Sequence, residues 1–475
     1  MAIKKKKKVA KVVSTSLFGK AERTVPKAVP KQESGITYEM LSDEQKSAIG
    51  IMMKFVESDD RQMVMTGSAG VGKSVLTKMF LDRLDSNGYK YVCTAPTNEA
   101  VRVVSKSCGR KYDSTIYSLL GLSLVQDDDG PAVIRPMGES KLGEYDIVIV
   151  DECSMINSEL FARIQDCLDE YSHVKIIYIG DKAQLPPVND PNGESPTFAI
   201  ESCGASLTQV QRCAADNPII AMVTEIRNNL ESDKDVFEKE SKYNTELGVG
   251  IEFEPDREKF MSNMYSLFKS TDFNADVNHV RALAYTNAAV DAMNAHIRIE
   301  LFGEHAKDYV VDEVLMMGEP LMNDRQVVFS VGERVRVDSV TLKTDSEYGF
   351  KYWSLTIQNF EAPSYQRRME RVDIIHRNYV GKYREVLAKK ATTAKEMVKI
   401  TADRKRAWLP YFAFKNRFAW VKYIYAITVH RSQGSTFKNV FVVNADLDRL
   451  RWNNVERNKL KYVAFTRASH RLCIY

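Results

Sequence analysis

The segment TGSAGVGKSVLTK, residues 66–78, constrains the fold more than any other stretch of the chain. It fits the pattern GxxxxGK[ST] at Gly67, Gly72, Lys73 and Ser74. Such a loop works only between a strand that delivers it and a helix that starts within it, so it calls for an α/β layout. Glycines at 67, 70 and 72 let the backbone curl until the N–H groups around Ser68, Ala69, Gly70 and Val71 converge on phosphate oxygens. Lys73 then neutralises the β and γ phosphates, Ser74 binds Mg²⁺, and the positive end of the helix faces the anion. The expected ligand is a nucleoside triphosphate.

The surrounding texture agrees with that layout. QMVMTG (62–67), YKYVCTAP (89–96), YDIVIVDE (145–152) and VKIIYIGD (174–181) are short apolar runs, each ending in a polar or glycine-containing turn. Between them lie helix-period segments such as KSVLTKMFLDRL (73–84), with Leu76, Phe80 and Leu84 on one face. Strands alternating with helices imply right-handed crossovers and a parallel sheet, with ligands beyond the carboxyl ends of its strands. A second unit of similar texture begins near residue 206, with HVRALAYTN (279–287) as a strand and AAVDAMNAHIRIELF (288–302) as a helix. It is interrupted at 323–415 by β-rich sequence and a charged helix from about 378 to 408, and resumes at KYIYAITVHRSQG. DDDG, between two apolar runs inside residues 121–140, predicts a hairpin.

At 475 residues the chain has room for two or three cores, since single cores rarely grow past about 250–300 residues. No run approaches the ~18 apolar residues of a membrane helix, and no secretory leader is evident. Seven cysteines without a CxxC pair fit reduced thiols and a cytoplasmic setting. The net charge of +4 divides unevenly: residues 1–36 carry nine Lys and one Arg against Glu22 and Glu33, a net of +8, which leaves −4 for the rest. That tail, poor in large apolar side chains, is expected to be disordered, as an arm that attracts polyanions or as a solubilising leader.

The acids of IVIVDECS, Asp151 and Glu152, follow a buried strand. Asp151 there can hold the magnesium ion while Glu152 orients and deprotonates an attacking water; the alternative is a helix cap with first-turn charge. Gln184, in IYIGDKAQLPPV, sits beyond another strand end, where an amide can touch the γ phosphate or the lytic water.

The series LSDEQKSAI, GSAGVGKS, APTNEAV, STIYSLL, VDECSMI, GDKAQLPPV, LTQVQRC, AYTNAAVDAMN, TVHRSQGSTFKNVFV and YVAFTRASHRL resembles superfamily 1 helicases, specifically the 5′-to-3′ RecD-like branch (superfamily 1B) and its phage Dda-type members. The resemblance runs from about residue 38 to residue 475. It implies two RecA-like parallel-sheet domains, at 37–205 and at 206–322 with 416–475. It also implies a hairpin at about 121–140 and an SH3-like insert with a helical extension at 323–415. It implies ATP as the nucleotide, with Gln45 on the adenine edge and Gly434 near the nucleotide. Arg212 and Arg467 would reach the γ phosphate from the second domain, where a planar guanidinium stabilises transferring charge; either could instead make a surface ion pair.

Single-stranded DNA and its junctions with duplex are the implied partners, met by Pro96, Thr97, Asn98, Thr115 and Tyr117 in the first domain and Thr428 and His430 in the second. Hydroxyl and amide groups at loop ends suit phosphates, and Tyr117 suits base stacking; ordinary loop capping is the alternative for each. Trp353 is a DNA contact or a core tryptophan. The hairpin would be the wedge, with Val133 and Ile134 at its apolar tip. The implied activity is a DNA-dependent ATPase that unwinds DNA as a monomer, alongside single-strand-binding or replication proteins and away from membranes. The alternatives are a translocase that strips bound proteins, and a binding module controlled by nucleotide.

Overall fold

In a computed structural model the nucleotide loop joins β1 (Gln62–Gly67) to helix α2 (Lys73–Ser86). The structure describes residues 37–109, 114–126, 132–187, 190, 193–201, 204–209, 216–323, 326–361, 367–401 and 403–475. A short turn, Tyr38–Met40, belongs to a unit that ends at Leu41. Residues 42–475 form the other.

The first lobe is a parallel sheet in the order β2-β5-β6-β1-β7, where β2 is Tyr91–Thr94, β5 Ile147–Val150, β6 Lys175–Gly180 and β7 Ala205–Leu207. Every residue of β5 is buried, as a strand covered on both faces requires. Helices α1 (Asp43–Glu57), α2, α3 (Asn98–Cys108) and α5 (Ser158–Glu170) accompany it, with the single-turn α4 at Ile116–Leu119. Leu76, Phe80 and Leu84 of α2 are fully buried on the expected face. Hairpin β3 (Leu122–Gln126) and β4 (Ala132–Pro136) lies within the expected 121–140 segment. Ile134, however, is 4% exposed and packs in the core with Ile116, Leu119 and Leu142. It braces the base of the projection and is not at its tip; the connecting residues 127–131 and the side chain of Val133 lie outside the described residues.

The second lobe has the order β18-β10-β19-β20-β9-β8, formed by β8 (Lys242–Asn244), β9 (Val249–Phe253), β10 (Val280–Ala284), β18 (Ala426–Thr428), β19 (Phe437–Val442) and β20 (Ala468–Ile474). Only the edge pair β8–β9 is antiparallel. The interior strands β19 and β20 come from the chain after its excursion, and Phe260 packs edge-on against Phe441 to join helix Arg257–Phe268 to them.

The excursion is an antiparallel sheet, β16-β15-β14-β11-β17. Its strands are β11 (Val314–Met317), β14 (Arg334–Thr344), β15 (Lys351–Gln358), β16 (Met369–Ile375) and β17 (Val421–Tyr423). A small hairpin, β12 (Leu321–Asn323) with β13 (Gln326–Phe329), accompanies it. The insert therefore starts before residue 323 and ends after 415, because β11 pairs with both β14 and β17. The charged extension is two helices, Val380–Thr401 and Arg404–Lys415, and not one; Asp403 accepts from the Arg406 N–H and starts the second. Among the described residues no helix is long and apolar enough to cross a membrane.

Candidate nucleotide site and DNA-facing loops

The loop conformation depends on two glycines. Gly70 and Gly72 have φ of +79° and +83°, a region that penalises any side chain, and Gly72 is the last residue before α2 begins at Lys73. Lys73 Nζ donates to the carbonyls of Gly67 (2.7 Å) and Ser68 (3.1 Å), while Ser74 stands exposed on the first turn. Gln45 is 3% exposed and its amide is committed locally. Oε1 accepts from the Ser42 N–H in a capping box, and Nε2 donates to the carbonyl of Val71 in the loop, 3.1 Å away. One N–H of that amide remains for a base edge. The residue expected at the adenine thus also ties α1 to the phosphate loop.

Asp151 and Glu152 leave the end of β5. Asp151 Oδ1 accepts from the Glu152 N–H at 2.8 Å. Burial, and then the charge of Glu152, push the Asp151 carboxyl up to about 7, against the opposing pull of that hydrogen bond and of Lys73. Glu152 also holds a left-handed backbone, φ 54° and ψ 41°, which is strained for a side-chain-bearing residue. Gln184 is 6% exposed, and its Oε1 is buried without a hydrogen-bond partner among the described residues. A buried, unmatched acceptor near a strand end is unfavourable unless something at the site donates to it.

The second lobe contributes Arg467, 7% exposed at the end of helix Asn454–Thr466. Its guanidinium donates to the carbonyls of Val463, Ser435 and Ser432 and to Thr466 Oγ1. Burial lowers its basicity, and Glu152, Tyr462 and Asp181 act in the opposite sense, so the first lobe's carboxylates lie within its electrostatic reach. Arg212 lies outside the described residues. Gly434, expected near the nucleotide, packs on α3: a Cβ there would stand 2.8 Å from that of Ala100. Its neighbour Gln433 donates to the Leu185 carbonyl at 3.4 Å, close after Gln184.

Sequence reasoning missed a tyrosine in this site. Tyr462, 1% exposed, accepts from the Ala69 N–H of the phosphate loop at 3.0 Å and donates to Asp181 Oδ2, at the end of β6. Its signal was faint, because in KYVAFTRA it reads as one more apolar position of a buried helix.

Among the DNA-contact candidates, Thr97, Thr115 and Thr428 each cap a helix, accepting from Ala100, Ser118 and Arg431 N–H groups respectively. Capping uses the oxygen as acceptor and leaves the O–H to donate. Pro96 is buried. Asn98 donates Nδ2 to the Val331 carbonyl of the insert at 2.9 Å. Tyr117 is half-buried against the first core; burial, with Glu159 adding, pushes its phenol up to about 12. His430 is half-buried, with its ring 6.1 Å from that of Tyr285 and its basicity lowered by burial. Trp353 belongs to the core of the insert. It is 5% exposed, its Nε1 donates to Asp308 at 3.0 Å and its ring stacks on His376, so it is not available to DNA.

Three family models cover this architecture: an AAA domain at residues 40–243, a Dda helicase SH3 domain at 306–423 and a UvrD-like helicase C-terminal domain at 423–475. The chain is 30% identical over 459 residues to the ATP-dependent DNA helicase dda of Enterobacteria phage T4, spanning 92% of this chain and 99% of that protein. The ATP-dependent RecD2 DNA helicase of Deinococcus radiodurans is 32% identical over 227 residues, 46% of this chain and 28% of the relative. A solved structure of two coordinating Pif1 helicases at forked double-stranded DNA shares the fold, with a TM-score of 0.50 and 15% identity across 91% of this chain and 92% of that one. With near-full-length similarity to the phage protein and the same characteristic SH3 insert, the chain belongs to the Dda-type ATP-dependent DNA helicases of superfamily 1B.

Proposed function

We propose that the chain hydrolyses ATP to move 5′-to-3′ along single-stranded DNA and parts the duplex at the β3–β4 projection. The observation that supports this most directly is the contact between two lobes at the phosphate loop: the second lobe's Tyr462, five residues before Arg467, bonds to Ala69 and Asp181 of the lobe that carries Lys73, Asp151, Glu152 and Gln184. Nucleotide then acts as a clamp. Lys73 exchanges its two loop carbonyls for phosphate oxygens, Glu152 takes a proton from the attacking water, and Gln184 accepts a hydrogen bond from that water. Arg467, with Arg212, neutralises charge on the transferring phosphoryl group when the lobes close. Ser74 and Asp151 would hold Mg²⁺, whose charge suits a pair of acids in which one carboxyl is already driven up to about 7. Gln45 would spend its remaining N–H on the adenine edge.

DNA would lie across the caps Thr97, Thr115 and Thr428, with Tyr117 and His430 beside the bases and Asn98 at the border of the insert. Such contacts track a backbone without reading sequence. Opening a base-pair step takes about 1.4 kcal/mol on average, a small demand on ATP hydrolysis. A motor site built within one chain supports action as a monomer on single strands and junctions, in concert with single-strand-binding or replication proteins. The phage origin of the relative supports the cytoplasm of an infected bacterium as the setting.

The test is ATPase activity with and without single-stranded DNA, together with unwinding of duplexes carrying a 5′ or a 3′ tail. Stimulated turnover and opening of the 5′-tailed duplex alone are expected, and Lys73→Ala should lose turnover by about 100-fold or more while retaining its fold. Stimulation without unwinding identifies a translocase, opening of the 3′-tailed duplex reverses the polarity, and no stimulation leaves a nucleotide-controlled binder.

A further inference from the structure

One planar peptide in the phosphate loop is held at both ends. Its oxygen, that of Ser68, accepts from Lys73, and its N–H, that of Ala69, donates to Tyr462. The first partner belongs to the nucleotide-binding lobe and the second to the lobe that carries Arg467, five residues further along the same chain segment. Tyr462 donates its own proton to Asp181 Oδ2, and Asp181 is in turn fixed by the Ala183 N–H at 3.0 Å and by Arg227 at 3.4 Å. Burial and the neighbouring Asp181 charge keep the phenol protonated far above its ordinary range, and a hydroxyl that donates to a carboxylate accepts more strongly from an N–H.

We infer that Tyr462 and the Ser68–Ala69 peptide form a nucleotide-responsive latch between the lobes, in which the Tyr462 hydroxyl holds a loop amide that a bound phosphate claims. The argument rests on the nucleotide-site reading above. Phosphate oxygens in a loop of this type are bound by its backbone N–H groups and by its lysine. A triphosphate that draws Lys73 away from the Ser68 oxygen removes one hold on the peptide. A phosphate oxygen that then draws the Ala69 N–H toward itself turns the peptide as a rigid plane and takes that N–H from Tyr462. Tyr462 then keeps its bond to Asp181 of the first lobe, and its helix, which ends at Arg467, is held to the phosphate loop by one contact fewer. In the reverse direction, a rearrangement of the second lobe on DNA that withdraws Tyr462 delivers a free amide to the incoming phosphate. The tyrosine is a positioning residue; it touches the loop and Asp181, and no atom of it need touch the nucleotide.

The experiment compares the full chain with Tyr462→Phe and Asp181→Asn. A fluorescent ADP analogue is titrated without DNA, and ATPase kcat is measured with and without single-stranded DNA. Removing the competing hydroxyl should tighten ADP-analogue binding by about five-fold, the worth of one hydrogen bond, and shrink the DNA stimulation of kcat by a similar factor. Asp181→Asn, which weakens the hydroxyl as an acceptor but retains its shape, should move both quantities in the same direction by less. Analogue binding that is unchanged or weaker in Tyr462→Phe overturns the latch, whatever happens to the melting temperature; a purely structural tyrosine would lower that temperature alone. If Tyr462→Phe does not fold, Asp181→Asn decides on the same readouts. Lys73→Ala separates the two levels of argument: retained turnover there defeats the nucleotide-site reading itself, whereas its loss with an unaltered Tyr462→Phe defeats only the latch.

Discussion

Arg334 donates Nη2 to Glu99 Oε1 across 3.1 Å, joining β14 of the insert to α3 of the first lobe. Arg102 and Glu361 complete a ring, with Arg102 bonded to both acids and Arg334 Nη1 3.2 Å from Glu361. Burial pushes the Glu99 carboxyl up, but Arg334 and Arg102 together outweigh it and hold the group below its ordinary 4.5. The ring's stability is therefore present above about pH 4.5 and is lost as pH falls through the lower folded value. Glu99→Gln should destabilise the protein by about 1–3 kcal/mol at pH 7, since Arg334, 5% exposed, is left with a single acid. Urea melts at low and high salt check this; because the pair is sheltered, most of the loss should survive about 0.5 M salt, where the screening length is roughly half that of physiological buffer.

Asp151 should behave in the opposite sense. Its folded carboxyl is raised to about 7 from 3.8, so the folded protein binds more protons than the unfolded chain between those values. The charged group then weakens the fold increasingly as pH rises from about 4 to 7, and the penalty is complete above 7. Asp151→Asn should stabilise the ligand-free protein at pH 8 by at most a few kcal/mol, with the gain vanishing toward pH 4, while abolishing turnover. Denaturant melts across that range measure it; a gain that grows on acidification would contradict the assignment.

Glu152 stores strain in its backbone. Glu152→Gly should relieve the left-handed conformation and raise stability by about 1 kcal/mol, whereas Glu152→Gln retains the strain and gains nothing of that kind. Both should lose turnover while still binding an ADP analogue. Paired thermal melts and single-turnover assays distinguish the conformational contribution from the chemical one.

Trp353→Phe removes the indole N–H bonded to Asp308 and one ring of a buried side chain, while keeping a six-membered ring near His376. A loss of about 1–3 kcal/mol in stability, from the hydrogen bond and the space left in the core, with unaltered affinity for a single-stranded oligonucleotide is expected. A clear drop in that affinity without a change in melting would return the residue to the DNA surface.

Much of this architecture was legible in the chain because local rules and tertiary demand coincide. GSAGVGKS needs positive φ at Gly70 and Gly72, and the 3.6-residue spacing of Leu76, Phe80 and Leu84 has one burial solution. Ile134 was misplaced and Trp353 left open for a common reason: an apolar side chain beside a functional segment reads the same whether it faces a ligand or a core, and only packing decides. The insert boundaries were misjudged because β11 and β17, four and three residues long, carry no pattern that separates them from the lobe they leave and rejoin. Tyr462 escaped notice because its importance lies in a hydrogen bond to Ala69, 393 positions earlier in the chain, and no window of sequence spans that.

The placement of β19 and β20 in the middle of the second sheet has a bearing on biogenesis. A nascent polypeptide that stops before residue 437 owns a whole phosphate loop, its acids and the first sheet, yet lacks two interior strands of the other. Synthesis thus makes the cradle early and Arg467 late. On the mechanism proposed above, incomplete translation products would hold nucleotide without burning it, and the engine would switch on only once the final strand had threaded home.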